Sequence, residues 1–131
     1  MKIIQINGAY KEGSTGQIVS NIHDGIIKTG NYASVCYGRG EIFKEPNVYK
    51  ISSELQAKIG TLWGRITGFQ YGGCFFSTNK ILRIIKNENP DIVHIHCING
   101  RTVNIYRLFR WLKDKKINTI VTLHAEFFFT G

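Results

Sequence analysis

The chain has 131 residues, of which 43% are hydrophobic and 20% charged. That is the size and composition of one globular domain with a sizeable core, and it argues against disorder. No apolar run is long enough to span a bilayer, and Met1-Lys2 leads into a short strand rather than a signal-peptide core, so the chain is expected in the cytoplasm. A formal charge of +8 suits an anionic partner: phosphate, nucleic acid or anionic lipid.

Lys2 to Ile6 is rich in Ile and reads as a first, central strand. Asn7 to Thr15 is a glycine-containing loop, and Ser14 or Thr15 is placed to cap a helix from Gly16. That helix carries Ile18, Val19, Ile22, Ile26 and Ile27 at helical spacing and closes at Gly30. Tyr32 to Tyr37 is a second strand that completes a βαβ unit. Val48 to Ile51 reads as a short third strand. Ser52 or Ser53 then caps a helix whose apolar residues Leu55, Ile59, Leu62, Trp63 and Ile66 line one side, weakened by Gly60 and Gly64.

Gly68 to Phe76 is a Gly-aromatic loop, expected to pack because so many rings must be buried somewhere, with an acceptor-side lid as the alternative. Ser77 caps a further helix through Ile81, Leu82 and Ile85, which ends at the Asn87 to Pro90 breaker. Asp91 to Ile95 is too short for a helix and reads as a buried parallel strand. A helix from about Thr102 turns Ile105, Leu108, Phe109 and Leu112 inward, and Ile117 to Leu123 is another buried strand ending at His124. The alternation predicts an α/β, Rossmann-like parallel sheet flanked by helices. Its topological switch falls between the first strand and the Asp91 strand, which brings the glycine loop, His96 and His124 to one crevice.

Several chemistries can be weighed from residue spacing. Gly8 to Thr15 nearly spells the phosphate loop G-x-x-x-x-G-K-[ST], but Ser14 stands where the lysine belongs, and no G-x-G-x-x-G follows the first strand. What survives is a flexible backbone ahead of a helix N-terminus, which suits an oxyanion and equally serves as a plain turn. His94 and His96 share one face of a strand while Cys97 points to the other, and no third ligand stands at metal-binding spacing, so no metal site is expected. Cys36, Cys74 and Cys97 are odd in number and lack CxxC spacing, which excludes a disulfide framework and leaves at least two as buried thiols. Nothing resembles G-x-S-x-G. Arg101, Arg107, Arg110, Lys113, Lys115 and Lys116 gather on the last helix and its cap, either as a solvated face or as an anion patch centred on Arg107, Arg110 and Lys113.

Three segments together, MKIIQINGAYKEGSTGQIVSNIHDGII, PDIVHIHCINGRTVN and INTIVTLHAEFFFTG, resemble the N-terminal, acceptor-side domain of a family 4-type, GT-B fold retaining glycosyltransferase, over Met1 to Gly131. The resemblance implies a metal-independent enzyme without a cofactor, using a nucleotide-sugar as donor and a glycan or lipid-linked acceptor, with no specific nucleic acid as partner. It implies that Gly13, Ser14, Thr15 and Gly16 face the donor diphosphate and that His96 is the catalytic histidine beside the donor sugar. His124, Glu126 and Asn99 fall in the substrate cleft. The family's His-Asp-Cys-Trp-x-Phe-Thr-Gly stretch departs here, with Ala125 and Glu126 in place of Asp and Cys. It further implies that residues 1–131 are one partial domain, lacking the donor-binding half and inactive alone. Peripheral association with the inner face of the membrane, and self-association through an exposed sheet edge, complete the expectations.

Overall fold

The computed structural model describes residues 1–53, 55, 59, 62, 66, 68, 73–98 and 102–124. Five strands form one parallel sheet: β1 (Lys2–Ala9), β2 (Tyr32–Arg39), β3 (Val48–Lys50), β4 (Ile92–Ile95) and β5 (Asn118–Val121), in the order β3-β2-β1-β4-β5. Helices α1 (Gly13–Lys28), α2 (Phe75–Glu88) and α3 (Ile105–Asp114) lie between them, and residues 55, 59, 62 and 66 are helical as well. The α/β parallel sheet read from the sequence is therefore present. β1 pairs with both β2 and β4, so the strand order reverses between β1 and β4, where the switch was expected.

Alternation along β1 divides the core. Ile4 and Ile6 face one layer with Cys36, Val93 and Ile95, filled by Ile81, Leu82 and Ile85 of α2 and Leu108 and Leu112 of α3. Gln5 lies on the other face with its register partner His94, on the side covered by α1 through Val19. α1 packs on β1 and β2, while α2 and α3 pack together across the opposite face.

Several local readings change. α1 begins at Gly13, with Glu12 at the cap position, so Ser14 and Thr15 lie inside the first turn instead of capping it. Its buried face is Gly16, Val19, Ser20 and His23, and Ile18 and Ile27 are exposed: small residues approach the sheet closely and leave the isoleucines outside. α2 starts at Phe75 after a left-handed Cys74, and Ser77 is buried one turn in, donating to the carbonyls of Cys74 and Thr102. Phe75 and Phe76 are exposed, so the end of the Gly-aromatic loop does not pack as expected; Phe69 and Tyr71 lie outside the described residues.

Leu55, Ile59, Leu62 and Ile66 are helical as expected, but their side chains are exposed instead of facing the core, and Trp63, Gly60 and Gly64 lie outside the described residues. β5 is not a buried strand. Among the described strands it bonds only to β4, and Ile120, Val121 and Leu123 are exposed at that edge of the described sheet. None of the three cysteines is in a disulfide and only Cys36 is fully buried, so the second buried thiol expected from the sequence is absent; burial pushes the Cys36 thiol well above the usual range.

Candidate functional site

The carboxyl ends of β1, β2 and β4 are drawn together by close backbone approach. Gly8 N–H donates to the carbonyl of Cys97 at 2.7 Å, and a Cβ on Gly8 would sit 3.1 Å from that oxygen. The Asn7 side chain accepts from Cys97 N–H at 3.1 Å, which ties the β1 exit to the β4 exit. On the other side, a Cβ on Gly38 would fall 2.6 Å from Thr102 Cβ, so the end of β2 abuts the segment leading into α3. Thr78 Oγ1 accepts from Asn104 N–H at 2.8 Å and holds the same segment from α2. The Asn104 carbonyl oxygen of the side chain in turn accepts from Arg107 N–H at 3.0 Å, capping α3.

The N-terminus of α1 opens beside this junction. Gly13 has a positive φ of 63°, which glycine adopts without strain, and no acidic residue stands in the first turn. The Glu12 carboxylate at the cap position makes no capping bond; it reaches across to accept from Glu41 N–H at 2.8 Å. Lys11 is held in an ion pair with Glu45 at 2.6 Å, and that hydrogen bond raises its pKa. Gly13 and Ser14 are exposed, Thr15 is half-buried, and Gly16 is buried against the backbone of Tyr10 and Lys11. The first turn has no side-chain cap, and its N–H groups with the helix dipole are a setting that favours an anion.

Across the switch, three histidines form a continuous group on β4, β5 and their ends. His94 Nε2 lies 2.7 Å from Thr122 Oγ1, and the His94 and His96 rings pack at 3.9 Å between centroids. His96 Nε2 bonds Gln5 Oε1 at 3.1 Å and its Nδ1 meets His124 Nε2 at 3.2 Å. No family model matches the chain, and neither curated proteins nor solved structures give a match.

His96 is 1% exposed and both of its ring nitrogens are taken, so it is enclosed at the strand exit behind His124, which is half-buried. Burial, followed by the neighbouring His94 and His124, pushes its pKa down to about 3, so it is neutral at physiological pH. His94 is lowered too, chiefly by burial and then by His124. Among the described residues no group of three His, Cys, Asp or Glu side chains stands ready to hold a metal ion.

Asn99, Arg101 and Glu126 lie outside the described residues. Arg107, Arg110 and Lys113 are exposed on α3, whose Leu108 and Leu112 are buried. Two groups escaped sequence reading. Gln5 sits between Ile4 and Ile6 in an apolar run, and the signal was available, since a polar side chain in a buried strand needs a partner. His23 is buried in α1 with its ring edge-on to Tyr10 at 6.1 Å, and burial lowers its pKa; a lone histidine in an amphipathic helix carries no sequence signal of that kind. Among the described residues no helix is long and apolar enough to cross a membrane.

Proposed function

We propose that this chain is the acceptor-side half of a retaining, metal-independent glycosyltransferase with the GT-B arrangement, moving a sugar from a nucleotide-sugar to a glycan or lipid-linked acceptor. The observation that carries the reading is the placement of the uncapped α1 N-terminus after β1 and of the His96–His124 pair after β4 and β5, with β1 and β4 the two strands that flank the switch. On this reading the donor diphosphate lies over the first turn of α1, where N–H groups and the helix dipole offset the charge that grows as it departs. The bond between the anomeric carbon and the phosphate oxygen breaks as the acceptor oxygen attacks from the same face. The acceptor proton passes to the leaving phosphate oxygen. His96 is committed at both nitrogens, so its part is exercised through His124, whose second nitrogen has no partner among the described residues and would meet a sugar hydroxyl.

The test joins the chain to a donor-binding domain of the kind such enzymes carry and follows donor hydrolysis and transfer across a panel of nucleotide-sugars. Turnover that disappears in His124→Ala while the fold is retained supports the reading. Turnover unaffected by His124→Ala and by Gly13→Pro refutes it.

A second reading is favoured by the cationic side of α3. Arg107, Arg110 and Lys113 are exposed, and no carboxylate among the described residues pairs with them. They suit an anionic membrane surface, and the chain then acts as a phosphate- or lipid-binding module at the inner face of the membrane, with or without transfer chemistry. Among the described strands β5 lies at the sheet edge, and Ile120 and Leu123 exposed there support self-association of the isolated chain.

A further inference from the structure

A hydrogen-bond chain runs from α1 through the sheet to the candidate site, and chemistry fixes its direction. A carbonyl oxygen only accepts, so the amide nitrogen of Gln5, 3.4 Å from the Val19 carbonyl in α1, must be the end that faces it. The amide oxygen is thereby turned to His96, and since it too only accepts, His96 Nε2 carries a hydrogen across the 3.1 Å contact. A neutral imidazole with its hydrogen on Nε2 has a bare lone pair on Nδ1. His124 Nε2, 3.2 Å away, must then be the donor in that contact. His94, packed on the His96 ring and held by Thr122, keeps the plane of His96 in line.

We infer that Gln5 and His96 are positioning residues that hold His124 as its Nε2–H tautomer and leave Nδ1 of His124 as a hydrogen-bond acceptor for a ligand hydroxyl at the mouth of the switch. No protein group among the described residues bonds that nitrogen. The arrangement suits a neutral, polyhydroxylated ligand portion such as a sugar ring, because a lone pair held from behind selects a donor and rejects an oxyanion. The naming of a sugar hydroxyl rests on the function proposed above; the tautomer does not.

The experiment is long-range proton–nitrogen correlation of the histidines in the full chain near neutral pH, without ligand. The inference expects His124 protonated at Nε2 and bare at Nδ1, with His96 in the same tautomer. His124 protonated at Nδ1 overturns it. Gln5→Leu removes the anchor, and both histidines are then expected to populate two tautomers; an unchanged single tautomer overturns the role of Gln5. Gln5→Glu guards against misfolding of that variant. In Gln5→Glu the acid proton faces the Val19 carbonyl and the other oxygen accepts from His96 Nε2–H, so both histidines keep the single Nε2–H tautomer; two tautomers in Gln5→Glu overturn the contact. Addition of a panel of nucleotide-sugars to the chain joined to a donor-binding domain separates the two claims. A response at His124 Nδ1 supports the sugar assignment, whereas silence with the tautomer intact refutes the glycosyl reading and leaves the relay standing.

Discussion

Acidification should destabilise this fold through His96, by an amount that can be worked out from its surroundings. The ring is 1% exposed, and its pKa is pushed down to about 3, first by burial and then by His94 and His124. In the unfolded chain the same imidazole titrates near its ordinary value of about 6.5. Below that value the unfolded state binds a proton that the folded state refuses, so stability falls as pH drops from about 6.5 towards 3. The slope is about 1.4 kcal/mol per unit, or about 2 kcal/mol lost by pH 5. His23 and His94, also held below the ordinary value by burial, add losses of the same sign. Urea unfolding at pH 7 and pH 5, in the wild type and in His96→Gln, isolates the His96 share. The variant keeps an amide donor and acceptor but cannot titrate. Its loss of stability between the two pH values should be smaller than that of the wild type by about 2 kcal/mol. An equal loss in both proteins would refute the argument that His96 is enclosed and neutral.

Gly38→Ala places a Cβ 2.6 Å from Thr102 Cβ, on a fully buried residue whose carbonyl accepts from Ser77, and should cost about 1 to 3 kcal/mol in thermal or urea unfolding. Asn104→Ala removes the side chain that accepts from Arg107 N–H, and should cost about 1 kcal/mol by the same measurement. Reversing charge at Arg107, Arg110 and Lys113 together should abolish salt-sensitive sedimentation with anionic vesicles while leaving the unfolding midpoint nearly unchanged, because all three are exposed. Vesicle binding that survives the reversal would place the anionic surface elsewhere.

The sheet was legible because β-branched runs such as Lys2–Ile6 and Ile92–Ile95 carry their own period, and the glycine loop and breaker between them mark the crossovers. The faces of the helices were harder. Isoleucine falls on more than one side of α1, so hydrophobicity alone does not choose the contact; Gly16 and Ser20 are buried because close approach to the sheet rewards small residues. For β5, the run Ile117–Leu123 has the same composition whether a neighbour covers it or not, and exposure of Ile120 depends on the edge position. The helical residues Leu55, Ile59, Leu62 and Ile66 show the same limit, since an apolar stripe signals a need for a partner without saying that the fold supplies it.

At the site, the position of His96 at a strand exit was readable from the Asn-Pro breaker and the short apolar run. Its enclosure was not, because Gln5 is 91 residues away in sequence and meets it only through the pairing of β1 with β4. The pairing of His96 with His124 likewise follows from β4 lying beside β5. The location of α1's first turn depended on a single glycine. With Gly13 in a left-handed conformation the helix starts there, three residues earlier than the Ser14-Thr15 cap reading had it.

The central claim, that a nucleotide-sugar is held at the β1–β4 switch, is tested most directly by titrating a panel of nucleotide-sugars into the isotopically labelled chain joined to a donor-binding domain and mapping amide and imidazole shifts, with inorganic phosphate as the control. The account predicts shifts at Gly13–Gly16 from both ligands and at His124 from the nucleotide-sugar alone. Shifts confined to Arg107, Arg110 and Lys113, or identical maps for the two ligands, would contradict it.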